Sequence, residues 1–584
     1  MIKNFIRIFS ILKRSEKMTL FVILLLTIIA TFLEMISLGS IPLYVTFILD
    51  QSKLDALLLK YSFLEFALDY SKQNILIILS VAVVILFLSK NLFLAFFYYF
   101  NGLFLRKISA RISRAMYNNY LYSSYLLCIS KTSAEIVRNF AEVGRFVGLI
   151  GHYTRLVLEL MVLVFIVFIT LKIDPIITLI TLICFGFFSL IYLGLIKNWL
   201  SKSGTDMQKF SKNQISILNQ TYSAIKEIKI NLKEKYLYEL FSKNIFRMNK
   251  IILFTDIIRR LPRLILEIIT VTFIVLISLY FIVYKSSATE FVAILTYMAI
   301  ASIRLVPAFT NITNAISSIK YMEPSINIID SETNIVKNIT EENLKNSKSL
   351  DLKKNDKKKY ITSINNIVIK NLSYSYNNKD NILDNLSLTI NRNQKIGIIG
   401  KSGVGKSTLV NLLLGLIEPK KGTIEYNNYN IVKDKFFLYN FISYVPQDTI
   451  LFNDTIKNNI TFGETEVDQS RLNTIIEHTN LSGFISELPM GLETTIGERG
   501  INISGGQKQR IGLARALYKD ADIIFFDEST SSLDLDNEEE ILNNIFIYCK
   551  NKILILISHR KETLIRCDYI LKLEKKKLEK IKND

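Results

Sequence analysis

Six long apolar runs decide what this chain can fold into. In a bilayer every backbone N–H and C=O must find its partner inside the segment, and a helix needs about 20 mostly apolar residues to cross about 30 Å of hydrocarbon. Stretches 18–49, 75–104, 156–171, 175–196, 264–284 and 291–310 meet that demand. Composition agrees: half of the 584 residues are hydrophobic and 21% are charged, which is too apolar for a disordered chain or an ordinary soluble enzyme. The first run continues to residue 49 without a small-residue cleavage site, so it reads as a retained span and not as a removable signal peptide.

Lys and Arg outnumber Asp and Glu by 71 to 52, a net charge of +19. Much of the excess sits in two long connections, 106–145 and 197–260, while the opposite set, 50–73, 172–174 and 285–290, is short. Basic loops stay in the cytoplasm, so both termini and both long connections are placed there, and the charge needs no nucleic-acid partner. The long connections lack Pro and keep apolar residues at helical spacing, as at Ile215, Leu218, Tyr222, Ile225 and Ile228. The spans are therefore expected to run on as helices, about 20 extra residues projecting each some 30 Å into the cytoplasm. On the outer side Leu54, Leu57, Leu58, Tyr61, Leu64 and Leu68 share one face, a candidate interfacial helix or a loop helix packed on its own protein. Cys128, Cys184, Cys549 and Cys567 have neither disulfide nor zinc spacing and read as free thiols.

The stretch 331–359 is polar and rich in Lys and Asn, a linker between a membrane domain over 1–330 and a second domain over 360–584. In that second domain short apolar strands alternate with helices, the pattern of an α/β fold with a largely parallel sheet. The strand 395–399 runs into Gly400-Lys-Ser-Gly-Val-Gly-Lys-Ser-Thr408 and then a helix. Gly400, Ser402, Gly403, Gly405 and Thr408 belong to a loop whose backbone N–H groups wrap phosphates, Lys406 reaches the β- and γ-phosphates, and the Ser407 hydroxyl serves Mg²⁺. A second apolar strand, 523–526, ends in Asp527 and Glu528, a metal holder and a general base for the attacking water. A third, 553–557, ends in Ser558 and His559, so three site segments should leave one edge of the sheet. His559 is the histidine expected to contact the γ-phosphate and orient the water; His478 reads as a surface residue and His152 as a structural one.

Ile503-Ser-Gly-Gly-Gln507 followed by Lys508-Gln-Arg510 resembles the signature of the ATP-binding cassette (ABC) family, with Ile in place of the usual leading Leu. The resemblance implies ATP and Mg²⁺ as ligands, Tyr376 as the aromatic stacking on adenine, Gln447 as a catalytic and metal-contacting residue, and Asp534 as the D-loop aspartate among the nucleotide-binding residues. It implies that Ser504, Gly505, Gly506 and Gln507 clamp ATP from a second subunit, so that the chain works as a homodimer or pairs with another half as a heterodimer. Thr495 to Glu498 resembles the exporter X-loop. Over nearly its whole length the chain resembles an ABC exporter half-transporter: a polytopic helical membrane domain of six spans with long cytoplasmic extensions, fused to an α/β P-loop cassette. Coupling helices are then expected near 113–122 and 214–224, and the bacterial cytoplasmic membrane is the expected location.

Charges inside the spans point to the cargo, because ionisable groups at that depth are costly. Lys90 and Arg304 lie about 20–25 Å from the outer surface at 1.5 Å per residue, and neither has an acid at i±3 or i±4. Arg155 and Arg263, at the cytoplasmic starts of spans three and five, each have Glu at i+4 and can form intrahelical pairs. The four cations suit an anionic, phosphorylated lipid. Leu261-Pro-Arg263 with Glu267, Arg304-Leu-Val-Pro307 and Glu34 before Pro42 resemble the PglK-type flippases of lipid-linked oligosaccharide. The alternatives are a peptide or bacteriocin exporter, another lipid or multidrug exporter, and an ATP-gated channel or regulator. About 17 residues precede the first span, too few for the N-terminal cysteine protease that some peptide exporters carry.

Overall fold

The structure, a computed structural model, describes residues 2–49, 71–173, 175–284, 288–333, 362–376, 380–497, 503–528 and 535–581. It divides into two compact units, one of Met1–Ser123 with Cys128–Glu342 and one of Ser124–Leu127 with Asn343–Asp584. The candidate interfacial helix at 54–68, Glu498 and Asp534 lie outside the described residues, as does most of 331–359.

The first unit is built from helices: α1 (Ile2–Ile11), α2 (Arg14–Leu49), α3 (Lys72–Tyr122), then, past the short α4 (Tyr125–Ser130), α5 (Ser133–Ile173), α6 (Pro175–Ser223), α7 (Ile225–Ile230), α8 (Glu234–Tyr284) and α9 (Ala288–Met322). Each apolar run of the sequence falls inside one of the six long helices, and the helices continue past the runs as their spacing predicts. Among the described residues Arg14–Ile41, Gln73–Tyr122, Ser133–Phe168 and Thr178–Ser223 are long and apolar enough to cross a membrane. Their outer faces are apolar too. Leu92, Leu190 and Leu195 are 71%, 74% and 77% exposed, which water would penalise and lipid would not.

α9 packs on α5, α6 and α8, and α2 on α3 and α5, around a core that includes Ile23, Ile108, Ile112, Phe146, Leu149 and Leu266. Close approach between α6 and α9 depends on Gly204: a Cβ there would stand 2.1 Å from the Tyr321 carbonyl oxygen. Residues 324–333 form a further helix, so the chain stays helical three residues into the stretch read as linker. Glu332 explains it, being 4% exposed and paired with Lys131 at 2.6 Å. The segments expected to hold coupling helices, 113–122 and 214–224, fall almost wholly within the long helices α3 and α6, with the short α4 and α7 next along the chain.

The second unit holds two sheets where the sequence suggested one. Strands β1 (Asn366–Tyr374), β2 (Leu383–Asn391), β4 (Lys421–Tyr426) and β5 (Tyr429–Asn430) form an antiparallel sheet in the order β2-β1-β4-β5. The other, in the order β10-β9-β3-β8-β7-β6, comprises β3 (Lys395–Ile399), β6 (Ile442–Val445), β7 (Ile523–Asp527), β8 (Ile553–Ile557), β9 (Tyr569–Glu574) and β10 (Lys577–Ile581). It is parallel apart from the β9–β10 hairpin. The central β8 is buried at every position, Ile-Leu-Ile-Leu-Ile, as a strand covered on both faces must be. β3, β7 and β8 thus deliver Gly400, Glu528 and Ser558 to one sheet edge.

Candidate active site

At the end of β3 the chain turns through Gly400, where a Cβ would lie 2.7 Å from the Leu573 carbonyl oxygen. Gly403 (φ 81°) and Gly405 (φ 111°) take left-handed conformations that side chains resist, and the space beside Gly403 is open. Gly405 caps the helix α10 (Lys406–Leu413), so its N-terminal N–H groups face the loop. Lys406 is 7% exposed; its Nζ donates to the carbonyls of Gly400 at 2.7 Å and Lys401 at 3.2 Å. Burial pulls its pKa below the usual lysine value, against the pull of Glu528 and Asp527. Ser402 and Ser407 are exposed, and Thr408 is buried with its Oγ1 at 3.4 Å from the Tyr376 hydroxyl. Tyr376 itself is 48% exposed, an open ring face beside the loop.

Glu528 is the centre of the second cluster. Its Oε2 accepts from Gln447 Nε2 at 2.8 Å, and its Oε1 lies 2.7 Å from His559 Nε2. That nitrogen is also 3.3 Å from Lys406 Nζ. A proton carried on Nε2 is the one that can be donated to Glu528, the shorter of the two contacts. Burial raises the Asp527 pKa, opposed by a hydrogen bond from the Tyr444 hydroxyl at 3.0 Å and by Lys406. Ser407, Gln447 and Asp527 offer oxygen donors on three segments, which is the chemistry Mg²⁺ selects. The open cradle at Gly403 and the buried cation at Lys406 fit a nucleotide phosphate chain.

Ser504 caps the helix α11 (Gly505–Tyr518): its Oγ accepts from Gln507 N at 3.2 Å while Gln507 Oε1 accepts from Ser504 N at 2.9 Å. The side chains of the cap are thus occupied, and the N–H groups of Gly505 and Gly506 lie in the first turn of a helix, where no intrahelical carbonyl can accept from them. Among the described residues these four make no hydrogen bond to the phosphate loop. The His478 ring packs against that of Tyr548 in a tilted pair, centroids 5.1 Å apart and planes at 53°.

In the first unit two of the four cations have acidic neighbours within 4 Å. Arg155 donates to Asn311 Oδ1 at 3.1 Å and lies 3.9 Å from Glu159, which accepts from Asn311 at 2.8 Å; Arg263 pairs with Glu267 at 2.8 Å. These two are neutralised where they stand. Lys90, 7% exposed, has the Phe87 ring at 5.0 Å and no acidic partner among the described residues. Arg304 falls within α9, and its side chain lies outside the described residues. Three features carried no usable sequence signal. They are the Tyr444 contact, the Lys508–Asp448 pair at 2.8 Å, and α1, pinned by Arg7 to Asp330 at 2.7 Å and by Asn4 to Glu323.

Residues 383–531 match the family model described as ABC transporter. A putative export ATP-binding/permease protein of Rickettsia typhi is 43% identical over 215 residues, 36% of this chain and 37% of that protein. The mitochondrial iron-sulfur clusters transporter ATM1 of Candida glabrata is 41% identical over 211 residues, 36% of this chain and 29% of that one. The matched stretch therefore spans about a third of these relatives' length, 37% of one and 29% of the other. A solved bacterial Atm1-family ABC exporter with ATP bound superposes with a TM-score of 0.66 at 18% identity, covering 98% of this chain and 96% of its own. The chain has the fold of an ABC exporter, a helical membrane unit joined to an α/β unit that carries an ABC transporter domain.

Proposed function

We propose that the chain is one half of an ATP-driven exporter that hydrolyses ATP at Glu528 and moves an amphiphilic cargo across the membrane by alternating access. The observation that carries the ATPase reading is the cluster in which one carboxylate, Glu528, is held by Gln447 and His559 beside Lys406. Glu528 takes the proton of the attacking water, His559 orients it, and Lys406 exchanges its loop carbonyls for phosphate oxygens. Bound Mg²⁺ would neutralise phosphate charge from Ser407, Gln447 and Asp527. Two copies of the chain form the working unit, since among the described residues the Ser504–Gln507 turn makes no hydrogen bond to its own phosphate loop, and it suits that of a partner.

The cargo we propose is a polyprenyl-pyrophosphate-linked oligosaccharide. Lys90 supports it: a buried ammonium in an apolar span is costly, and an anionic headgroup would supply the partner that the described residues do not. Iron-sulfur clusters belong to the name of a relative matched over 36% of this chain, a share too small to choose cargo. Proteoliposomes test the reading. Wild type should move the lipid-linked glycan with ATP; Glu528→Gln should not, and Lys90→Ala and Arg304→Ala should lose movement while keeping ATPase activity. An ATPase-active wild type that leaves the glycan in place would refute this cargo and turn the search to other lipids, peptides and drugs.

A further inference from the structure

β6 and β7 run parallel in a register that sets Tyr444 opposite Phe525 and Val445 opposite Phe526. Side chains opposite one another share a face, and Asp527, two residues past Phe525, returns to it. Tyr444 and Asp527 are therefore diagonal neighbours across the strand pair, their backbones about 8 Å apart, a span that a long aromatic side chain can bridge. The phenol closes it, with Oη donating to Asp527 Oδ2 at 3.0 Å. Three residues later the same segment supplies Gln447, which holds Glu528. Two adjacent carboxylates that repel each other are thus each tethered by a donor from one strand-to-loop segment.

We propose that Tyr444 is a positioning residue of the ATPase: its hydroxyl fixes the Asp527 carboxylate by one oxygen and leaves the other for the hydrated Mg²⁺ that accompanies ATP. This rests on the reading of the unit as an ATPase. Oδ1 of Asp527 takes no hydrogen bond among the described residues, so the tether occupies one oxygen only. Packing is a poor alternative explanation. Tyr444 lies on the sheet's edge strand and is 40% exposed, so deleting the hydroxyl removes little buried surface. An untethered Asp527 at a strand end would sample other rotamers, and the metal would have to select the productive one.

The test uses the full chain carrying Glu528→Gln, so that bound ATP is not turned over. Mn²⁺ is titrated by electron paramagnetic resonance at saturating ATP, and a fluorescent ATP analogue reports metal-free binding in EDTA. Tyr444→Phe should weaken Mn²⁺ binding roughly three- to tenfold, a part of the more than tenfold worth of one hydrogen bond to a charged group because the hydroxyl reaches the metal only through the carboxylate, with metal-free nucleotide binding and Tm unchanged. Added to Asp527→Asn it should do nothing more, because its only route is through that carboxylate. Equal Mn²⁺ affinity with and without the hydroxyl, or the same loss in the Asp527→Asn background, overturns the proposal. A parent chain that binds no Mn²⁺ with ATP overturns the ATPase reading, and this inference with it.

Discussion

Glu528 holds a backbone conformation that non-glycine residues avoid, φ 48°, at a cost on the order of 1–3 kcal/mol. Its N–H donates to the Ile557 carbonyl at 2.9 Å, anchoring the turn to the neighbouring strand. The turn aims the carboxylate at Gln447 and His559 instead of letting it continue along β7. Glu528→Gln keeps the shape and removes the base, so steady-state hydrolysis should fall about 100-fold or more while ATP binding persists. Filter binding beside phosphate release measures both, and normal turnover would assign the base elsewhere. The cysteines offer a separate check. Burial pushes Cys549 and Cys567 up to about 12, so both stay thiols in the folded protein and should resist maleimide until unfolding. The sign follows: a raised folded pKa stabilises fully below the unfolded thiol's value of about 8.5 and loses that contribution as pH climbs toward 12. Labelling of either thiol in the native chain at pH 7 would contradict it.

Helix contacts set the next scale, and among the described glycines Gly204 leaves the least room for a side chain. Gly204→Ala would drive a methyl into the Tyr321 carbonyl, which cannot yield without moving α9, so the variant should lose about 1–3 kcal/mol. Lys131→Ala should cost about 3 kcal/mol, because Glu332 would remain buried without its counter-charge. Thermal unfolding in detergent measures both, and unchanged midpoints would mean that these contacts are not held in solution. The long helices were legible because lipid demands continuous apolar runs, and the phosphate loop because its glycines are spaced by chemistry. The short helices α4 and α7 had no sequence signal of their own, since nothing in 113–124 or 214–224 forces a stop. α1 was invisible for a different reason: ten residues are too few to span, and its anchors at Asp330 and Glu323 lie more than 300 residues away in sequence. The antiparallel sheet was missed because its strands read locally like those of the parallel one. In the site, the ends of apolar strands pointed to Glu528 and His559 and the family resemblance to Gln447, whereas Tyr444 became recognisable only through strand register.

At the scale of the whole molecule the question is where an ATP site is completed. Within one chain the Ser504–Gln507 turn closes its own cap and offers its remaining N–H groups outward, while the phosphate loop holds Lys406 on its own carbonyls. Two copies related by a two-fold axis would set each turn over the other's loop and make two equal sites. That arrangement predicts complementation. Lys406→Ala disables a loop and Gly505→Asp disables a turn, so neither variant alone should hydrolyse ATP. In a mixed dimer the sound loop of one copy meets the sound turn of the other, restoring one site of two. With random pairing half of the dimers are mixed, so coexpression should recover about a quarter of wild-type ATPase activity. Were each site complete within a single chain, mixing would recover nothing, because every copy would carry its own lesion. Recovery in tandem-affinity-purified mixed dimers, absent from either parent, separates the two architectures with one assay.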